Sequence, residues 1–171
     1  VFLEPIFKEY DDLYPDINCM LRGDSGFASP EIYDICEKYD VSYVIRLKEN
    51  SVLRKQAEAT LEDLKSAVDL YSYDYAVAYG EFDYQAGSWS HSRRVVFKIE
   101  KPYGQLMHMY TFIVTNMDME PYQIIQFYCG RSRMENFIKE GKSGFDFAAV
   151  SSHSKVVNAN RMRLHMLAYN L

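Results

Sequence analysis

The feature that most constrains the fold is the order in which the spacing of apolar residues changes along the chain. Residues 2–14 carry apolar side chains at helical spacing. Two short apolar runs, 17–21 and 41–47, are typical of buried strands, and a helix between them begins at Ser29-Pro30. Serine before proline is a common helix start, because serine caps the first turn and proline fits its first position. A strand–helix–strand unit is therefore predicted after a first helix.

The rest of the chain changes period twice. A helix is predicted over 52–68, and from there to about residue 116 the apolar period is two, which indicates antiparallel strands. One helix is then predicted from Pro121 to about Lys142, and an amphipathic helix over 155–171. The residues of that last helix predicted to face inward are Val156, Val157, Leu164, Leu167 and Leu171.

These elements predict an α/β domain interrupted by a β-rich insertion. We divide it into residues 1–68, an insertion at 69–118, and C-terminal helices at 119–171. A hydrophobic content of 48% is enough for one globular core, and no apolar run is long enough to cross a membrane. The three scattered cysteines form no CxxC pair, which fits a cytoplasmic protein, and the dispersed histidines make a zinc site improbable.

Charge is distributed unevenly although the net value is only −5. Residues 1–88 hold 8 Lys/Arg against 18 Asp/Glu, whereas residues 89–171 hold 11 Lys/Arg against 6 Asp/Glu. A basic C-terminal half is compatible with binding to phosphates, although charge alone equally fits an ordinary solvated surface.

The most informative stretch contains Tyr128, Arg131, Glu135 and Lys142. If the stretch is helical, the last three follow the tyrosine by three, seven and fourteen residues, and the four side chains fall within roughly 60° of one another. A carboxylate can hold a metal ion, and the cations and the hydroxyl can bind phosphate oxygens. A salt-bridged amphipathic helix is the alternative.

This spacing, Tyr-x2-Arg-x3-Glu-x6-Lys, resembles the Y-R-E-K signature of a large branch of bacterial insertion-sequence DDE transposases. The resemblance implies a ribonuclease-H-like domain, with Glu135 as the third acidic metal ligand and with Tyr128, Arg131 and Lys142 as contacts to the transposon end. Further stretches that resemble this branch are 30–39, 43–50, 93–96 and 167–171.

A second match is Asp24, in the run Leu21-Arg-Gly-Asp-Ser-Gly-Phe27 after the first predicted strand. In the family the second catalytic aspartate occupies this place, and ligands of α/β folds gather at the carboxyl ends of strands. Taken alone, Asp24 is a turn aspartate. The Arg-Gly-Asp tripeptide could also suggest an integrin ligand, which the buried-strand context makes improbable. Asp24 and Glu135 are expected to lie on the order of 4–9 Å apart around shared metal ions.

The resemblance further implies Mg²⁺ or Mn²⁺ as cofactor and transposon ends and target DNA as partners, with a homodimer on DNA. It also implies that the first catalytic aspartate and the first strands of the sheet lie upstream of Val1, because no strand before Asp24 ends in an acid. The 171 residues alone are therefore expected to be inactive. Two alternatives remain open: a ribonuclease-H-like nuclease that cleaves without joining, and a non-catalytic DNA-binding remnant.

Three residues of the predicted insertion are further candidates for DNA binding. Trp89 could stack on an unpaired base, and Arg93 and Arg94 follow it closely. The alternative for Trp89 is packing within the β-rich block, as for most tryptophans in such a context.

Overall fold

A computed structural model describes residues 2–64, 75–105, 107–146 and 149–169, and only the backbone of residues 62–64 and 131–135. The chain forms two compact units, Val1–Tyr128 and Cys129–Leu171.

The first unit contains the helices and strands that the apolar periods predict. Their bounds are α1 (Glu4–Leu13), β1 (Met20–Gly23), a 3-10 turn (Ser25–Phe27), α2 (Pro30–Lys38), β2 (Ser42–Leu47), α3 (Ser51–Leu64), β3 (Ala76–Tyr84), β4 (Arg93–Lys101), β5 (Met109–Thr115) and α4 (Pro121–Cys129). The strand–helix–strand prediction is confirmed, although β1 lies later than the predicted 17–21. The predicted end of α3 and the start of the period-two block fall on 65–74, outside the described residues.

The five strands form one mixed sheet in the order β1-β2-β5-β4-β3. The β1 and β2 strands are parallel, as a strand–helix–strand crossover requires, and the other three pairings are antiparallel. This architecture confirms the predicted α/β class and is consistent with a ribonuclease-H-like domain. The β3, β4 and β5 strands continue the sheet of β1 and β2, and their designation as an insertion at 69–118 stays a prediction.

One face of the sheet carries the larger core. Alternate residues of β2 (Tyr43, Ile45 and Leu47) are buried there together with side chains from α2 and α3. The sheet residues from β4 and β5 on this face are Val95, Phe97, Ile99, Tyr110, Phe112 and Val114, and the helix residues include Tyr33, Cys36, Leu53, Ala57 and Leu61.

The opposite face is covered by α4. Its buried residues Ile124, Ile125 and Tyr128 pack with the intervening sheet residues Val44, Val96 and Ile113. Because β2, β4 and β5 are buried on both faces, their middle sections read as continuous apolar runs rather than as strict alternation.

The second unit contains α5 (Arg131–Gly144) and α6 (Lys155–Tyr169). The helical spacing predicted from Pro121 to about Lys142 corresponds to two helices, α4 and α5, which a single turn residue, Gly130, separates. Glycine is among the residues least favourable to a helix interior.

The inward orientation predicted for apolar residues of the last helix is wrong. Four of them, Val156, Val157, Leu164 and Leu167, are at least half exposed, and Leu171 lies outside the described residues. The apolar and polar residues of α6 are not gathered on opposite faces, so the helix has no single buried stripe.

The tight packing of Gly80 against Phe97 generates a stability prediction. A Cβ atom at position 80 would lie 2.5 Å from Cζ of the fully buried Phe97, whereas one at Gly87 would have no neighbour within 4 Å. We expect Gly80→Ala to lower the free energy of unfolding by about 1–3 kcal/mol, since an overfilled core must shift. The matched control, Gly87→Ala, should change it by less than about 0.5 kcal/mol. Urea denaturation of both variants tests this, and equal effects would contradict the packing.

Candidate functional site

Asp24 lies where the site was predicted, directly after the carboxyl end of β1. Its backbone is extended, and its Oδ1 accepts a hydrogen bond of 2.9 Å from the backbone N–H of Gly26. This bond caps the 3-10 turn and fixes the direction of the carboxylate. Asp24 is thus a turn aspartate by geometry, and it also occupies the strand end at which α/β folds bind ligands.

The two glycines that flank Asp24 have a steric function. A Cβ atom on the buried Gly23 would lie 2.9 Å from Cβ of Phe27, and one on Gly26 would lie 3.1 Å from Oδ1 of Asp24. The first glycine therefore lets the turn fold back onto the end of β1. The second keeps the space beside the Asp24 carboxylate open.

Arg22, two residues before Asp24, makes a contact that the sequence did not reveal. Its Nη1 donates a hydrogen bond of 3.0 Å to the carbonyl of Phe127, in the last turn of α4, and its guanidinium carbon lies 5.6 Å from the centroid of the Phe127 ring. The two residues are 105 positions apart. The Arg-Gly-Asp motif contains the arginine, but nothing in the sequence indicates that Phe127 is its partner.

Arg46 is a second cation near the carboxyl ends of β1 and β2, and the sequence analysis did not identify it. Gly23 of β1 pairs with Ile45 of β2 in the parallel register, so Asp24 and Arg46 each follow a paired residue on neighbouring strands. Arg46 is exposed. Alternation along the strand could have indicated it, because Arg46 interrupts the apolar run of β2.

Of the four signature residues, Tyr128 belongs to the first unit and is largely buried. Its side chain is 8% exposed and packs in the core between α4 and the sheet. Tyr128 therefore anchors α4, and its predicted contact with DNA stays a prediction.

The other three signature residues lie on α5, in the second unit. Arg131 and Glu135 are described by their backbone, and the Lys142 side chain is exposed. One helical face can still carry these three positions, because their spacing of four and seven residues matches the helical repeat. Tyr128 belongs to the first unit and the other three residues to the second, so the placement of all four side chains on one stripe stays a prediction. The expected distance between Asp24 and Glu135 stays a prediction.

Trp89 is packed within the protein. It is 8% exposed, and the centroid of its ring lies 5.3 Å from that of Tyr33 and 5.4 Å from that of Tyr84, both in edge-on contacts. These contacts correspond to the interpretation in which Trp89 packs within the β-rich block. Stacking on a base would require the ring to leave its two aromatic neighbours, so we do not include Trp89 in the proposed DNA interface.

Arg93 is held in a buried ionic cluster. Its side chain is 2% exposed, its Nε lies 2.7 Å from Oε1 of Glu37, and its Nη2 lies 2.5 Å from Oδ1 of Asp34. The guanidinium carbon also lies 5.1 Å from the centroid of the Tyr33 ring. Burial opposes the charge of Arg93, but its carboxylate partners raise its pKa. This buried guanidinium is bound by carboxylates of the protein itself, so Arg93 is also left out of the proposed DNA interface.

Arg94 points to the opposite face of the sheet and binds the loop that precedes α4. Its Nη2 donates a hydrogen bond of 2.7 Å to the carbonyl of Met119, its Nη1 contacts the carbonyl of Met117, and its Nε lies 3.1 Å from Oε2 of Glu81. Arg94 therefore fixes the start of α4, and a contact with DNA would compete with these bonds.

The described residues contain no group of three or more His, Cys, Asp or Glu side chains able to hold a metal ion. Asp24 is a carboxylate at a strand end, and carboxylate oxygens are hard ligands of the kind that Mg²⁺ and Mn²⁺ prefer. The chemistry of this donor fits such an ion.

Comparison with known proteins gives one family. The family described as transposase DDE domain group 1 matches residues 1–171, the whole chain, and the protein belongs to it. A comparison with curated proteins finds no significant match. Membership makes this chain a DDE transposase domain. DDE transposases are enzymes that cleave DNA in transposition. In the part of the chain that the structure describes, no helix is long and apolar enough to cross a membrane.

The Arg93 cluster generates a prediction that separates a structural arginine from a DNA contact. We expect Arg93→Met to lower the free energy of unfolding at pH 7 by about 2–4 kcal/mol, because a buried ion pair is broken and Glu37, its main partner, is only partly exposed. Lys38→Met, which removes an exposed pair with Glu4, is the control and should leave stability nearly unchanged.

The same loss should depend on pH. Burial alone would raise the pKa of Glu37, but hydrogen bonds from Arg93 and Tyr43 and the charge of Arg93 hold it below its ordinary value. The stability linked to Glu37 is therefore present above the unfolded pKa of about 4.3 and is lost as the pH falls through the lower folded value. The difference between wild type and Arg93→Met should shrink on acidification from pH 7 to about pH 3. A loss of equal size at both pH values would contradict this account.

Proposed function

We propose that the protein acts in metal-dependent cleavage and strand transfer at the ends of an insertion sequence, with Asp24 and Glu135 among its metal-binding carboxylates. The observation that carries the proposal is the position of Asp24, a carboxylate oriented by Gly26 at the carboxyl end of β1, in a chain that belongs throughout to a DDE transposase family. The Y-R-E-K spacing adds Glu135 as the second carboxylate.

Each residue has a distinct part in this proposal. Asp24 and Glu135 would hold Mg²⁺ or Mn²⁺, which when bound activates the attacking hydroxyl and stabilises the leaving oxygen. Arg131 and Lys142 bind phosphate oxygens of the DNA end. Tyr128 anchors α4 through its ring, and its hydroxyl group is the part that would reach the DNA backbone.

Arg46 is added to this set on structural grounds. It is exposed on the strand beside β1, one position past the register partner of Gly23. An arginine at this edge can neutralise a phosphate close to Asp24 and so offset the repulsion between the carboxylates and the DNA backbone.

The carboxylates provide the first test. In the complete natural protein, Asp24→Asn and Glu135→Gln should each lower Mn²⁺-dependent cleavage of the element's terminal DNA by at least about 100-fold. Such a loss corresponds to about 2.7 kcal/mol or more of transition-state stabilisation. The controls are Asp83→Asn, an exposed residue of the edge strand β3, and Glu140→Gln. The latter residue lies on α5, roughly 140° around the helix from Glu135.

The outcome also separates the alternatives. Cleavage without any joined product would favour a nuclease that does not transfer strands. Binding of the DNA end with no cleavage in the wild type would favour a non-catalytic DNA-binding protein. Normal cleavage by both carboxylate variants would refute the assignment of the two residues.

The cations on α5 provide an independent test. Arg131→Ala and Lys142→Ala should weaken binding of the DNA end while the melting temperature stays nearly constant. Each lost phosphate contact should also reduce the slope of log K against log salt by about one unit. Lys155→Ala removes an exposed lysine from α6 and serves as the control. If the cations merely pair with carboxylates of the protein, DNA binding and its salt slope will not change.

A further inference from the structure

We propose that Arg22 is a positioning residue that fixes the end of α4, the helix leading to Glu135, against the strand that carries Asp24. This inference rests on the proposed function, because it concerns how the two carboxylates are set relative to each other. Nothing in the Arg-Gly-Asp motif or in the Y-R-E-K signature assigns this part to Arg22.

The contact is double and is directed at one residue. Arg22 Nη1 donates a hydrogen bond of 3.0 Å to the Phe127 carbonyl, and the guanidinium lies over the ring of the same residue, with 5.6 Å from its carbon to the ring centroid. A hydrogen bond alone leaves rotation free. The guanidinium, which donates to the backbone and also lies over the ring, restricts both the position and the rotation of the last turn of α4.

The place of this contact on the helix also favours it. Carbonyl groups in the last turn of a helix lack the intrahelical partners that inner carbonyls have, and the helix end carries partial negative charge. A guanidinium can donate a hydrogen bond to such a carbonyl, and its positive charge is attracted to the negative end of the helix. Gly130 follows three residues after Phe127 and separates α4 from α5, so the Arg22 contact lies at the end of α4 from which the chain continues to α5.

The two ends of α4 are held by two arginines on the same face of the sheet. Arg94 binds the carbonyls of Met117 and Met119 before the helix, and Arg22 binds Phe127 near its end. Between them, Ile124 and Ile125 are buried in the core. The apolar core holds the helix on the sheet, and Arg22 fixes the end from which the chain continues to α5.

Each partner of the Arg22–Phe127 contact lies close in sequence to one of the two proposed metal ligands. Arg22 is two residues before Asp24, and Phe127 is eight residues before Glu135. The chain runs from Phe127 through Gly130 into the first turn of α5, so a displacement of the end of α4 displaces the start of the helix that carries Glu135. A misplacement of about 1 Å can cost on the order of 100-fold in rate when reacting groups must be held in register.

The experiment compares wild type with Arg22→Gln, Arg22→Lys and Arg54→Gln in the complete natural protein. Arg54 is a matched control, because it too combines a bond to a protein group, Glu49, with a contact over an aromatic ring, Tyr110, but it lies on α3. For each variant we would measure the rate of Mn²⁺-dependent cleavage and the Mn²⁺ concentration giving half the maximal rate. We would also measure the Kd for the DNA end, its salt slope, and hydrogen exchange across residues 121–130.

We expect Arg22→Gln to lower the maximal cleavage rate about 10-fold or more and to raise the Mn²⁺ requirement, with a Kd for DNA within about threefold of wild type. Exchange should accelerate in the last turn of α4 and not across the sheet. Arg22→Lys should restore part of the rate, because an ammonium can bond the carbonyl but lacks the planar fork. Arg54→Gln should behave as wild type.

Three results would overturn the inference. A wild-type rate in Arg22→Gln would show that the contact positions nothing. A raised Kd with a salt slope reduced by about one would make Arg22 a DNA contact instead. Faster exchange throughout the first unit would make it a general stability residue. If wild type itself shows no metal-dependent cleavage, the proposed function fails, and exchange at the end of α4 still decides whether Arg22 holds that helix.

Discussion

Burial of the central strands on both faces is the constraint on which the rest of the structure depends. The β2, β4 and β5 strands are covered on one face by α2 and α3 and on the other by α4. Each apolar side chain removed from water there contributes on the order of 1.5–3 kcal/mol, which fixes the register of the sheet. That register determines where β1 ends, and hence where Asp24 lies. It also determines which face receives α4, the helix that leads to α5.

The arginines show how the same residue type serves different purposes in one domain. Arg93 is buried in an ionic and aromatic cluster with Glu37 and Tyr33, Arg94 and Arg22 bind backbone carbonyls at the two ends of α4, and Arg46 is exposed at the edge near Asp24. Counting basic residues in the C-terminal half therefore overstates the charge available to DNA. Exposure and partners decide which cations can bind a phosphate.

The sequence predicted the elements whose periodicity is strong and local. The strand–helix–strand unit, the antiparallel block and the position of Asp24 at a strand end all follow from apolar spacing and turn residues. Apolar spacing alone does not predict the separation of α4 from α5, because that spacing continues through Gly130, a residue of low helix propensity. The helical spacing of the apolar residues of α6 predicts a buried stripe, but spacing carries no information about which other element covers those residues.

Long-range pairing explains the rest of what the sequence could not predict. Arg22 and Phe127 meet across 105 positions, and Arg93 meets Glu37 across 56. Trp89 had two interpretations, exposed stacking and core packing, which only the positions of Tyr33 and Tyr84 distinguish. Such contacts depend on the assembled sheet. For the same reason the signature residues gave a family resemblance, whereas the geometry of the metal site that they imply stays a prediction.

The most direct test of the account is a crystal structure of the complete natural protein bound to its terminal DNA and Mn²⁺, with the ions located by anomalous scattering. Mn²⁺ is expected to be coordinated by the carboxylates of Asp24 and Glu135, with these two groups on the order of 4–9 Å apart. Manganese that contacts neither carboxylate, or the two side chains on opposite faces of the protein, would contradict it.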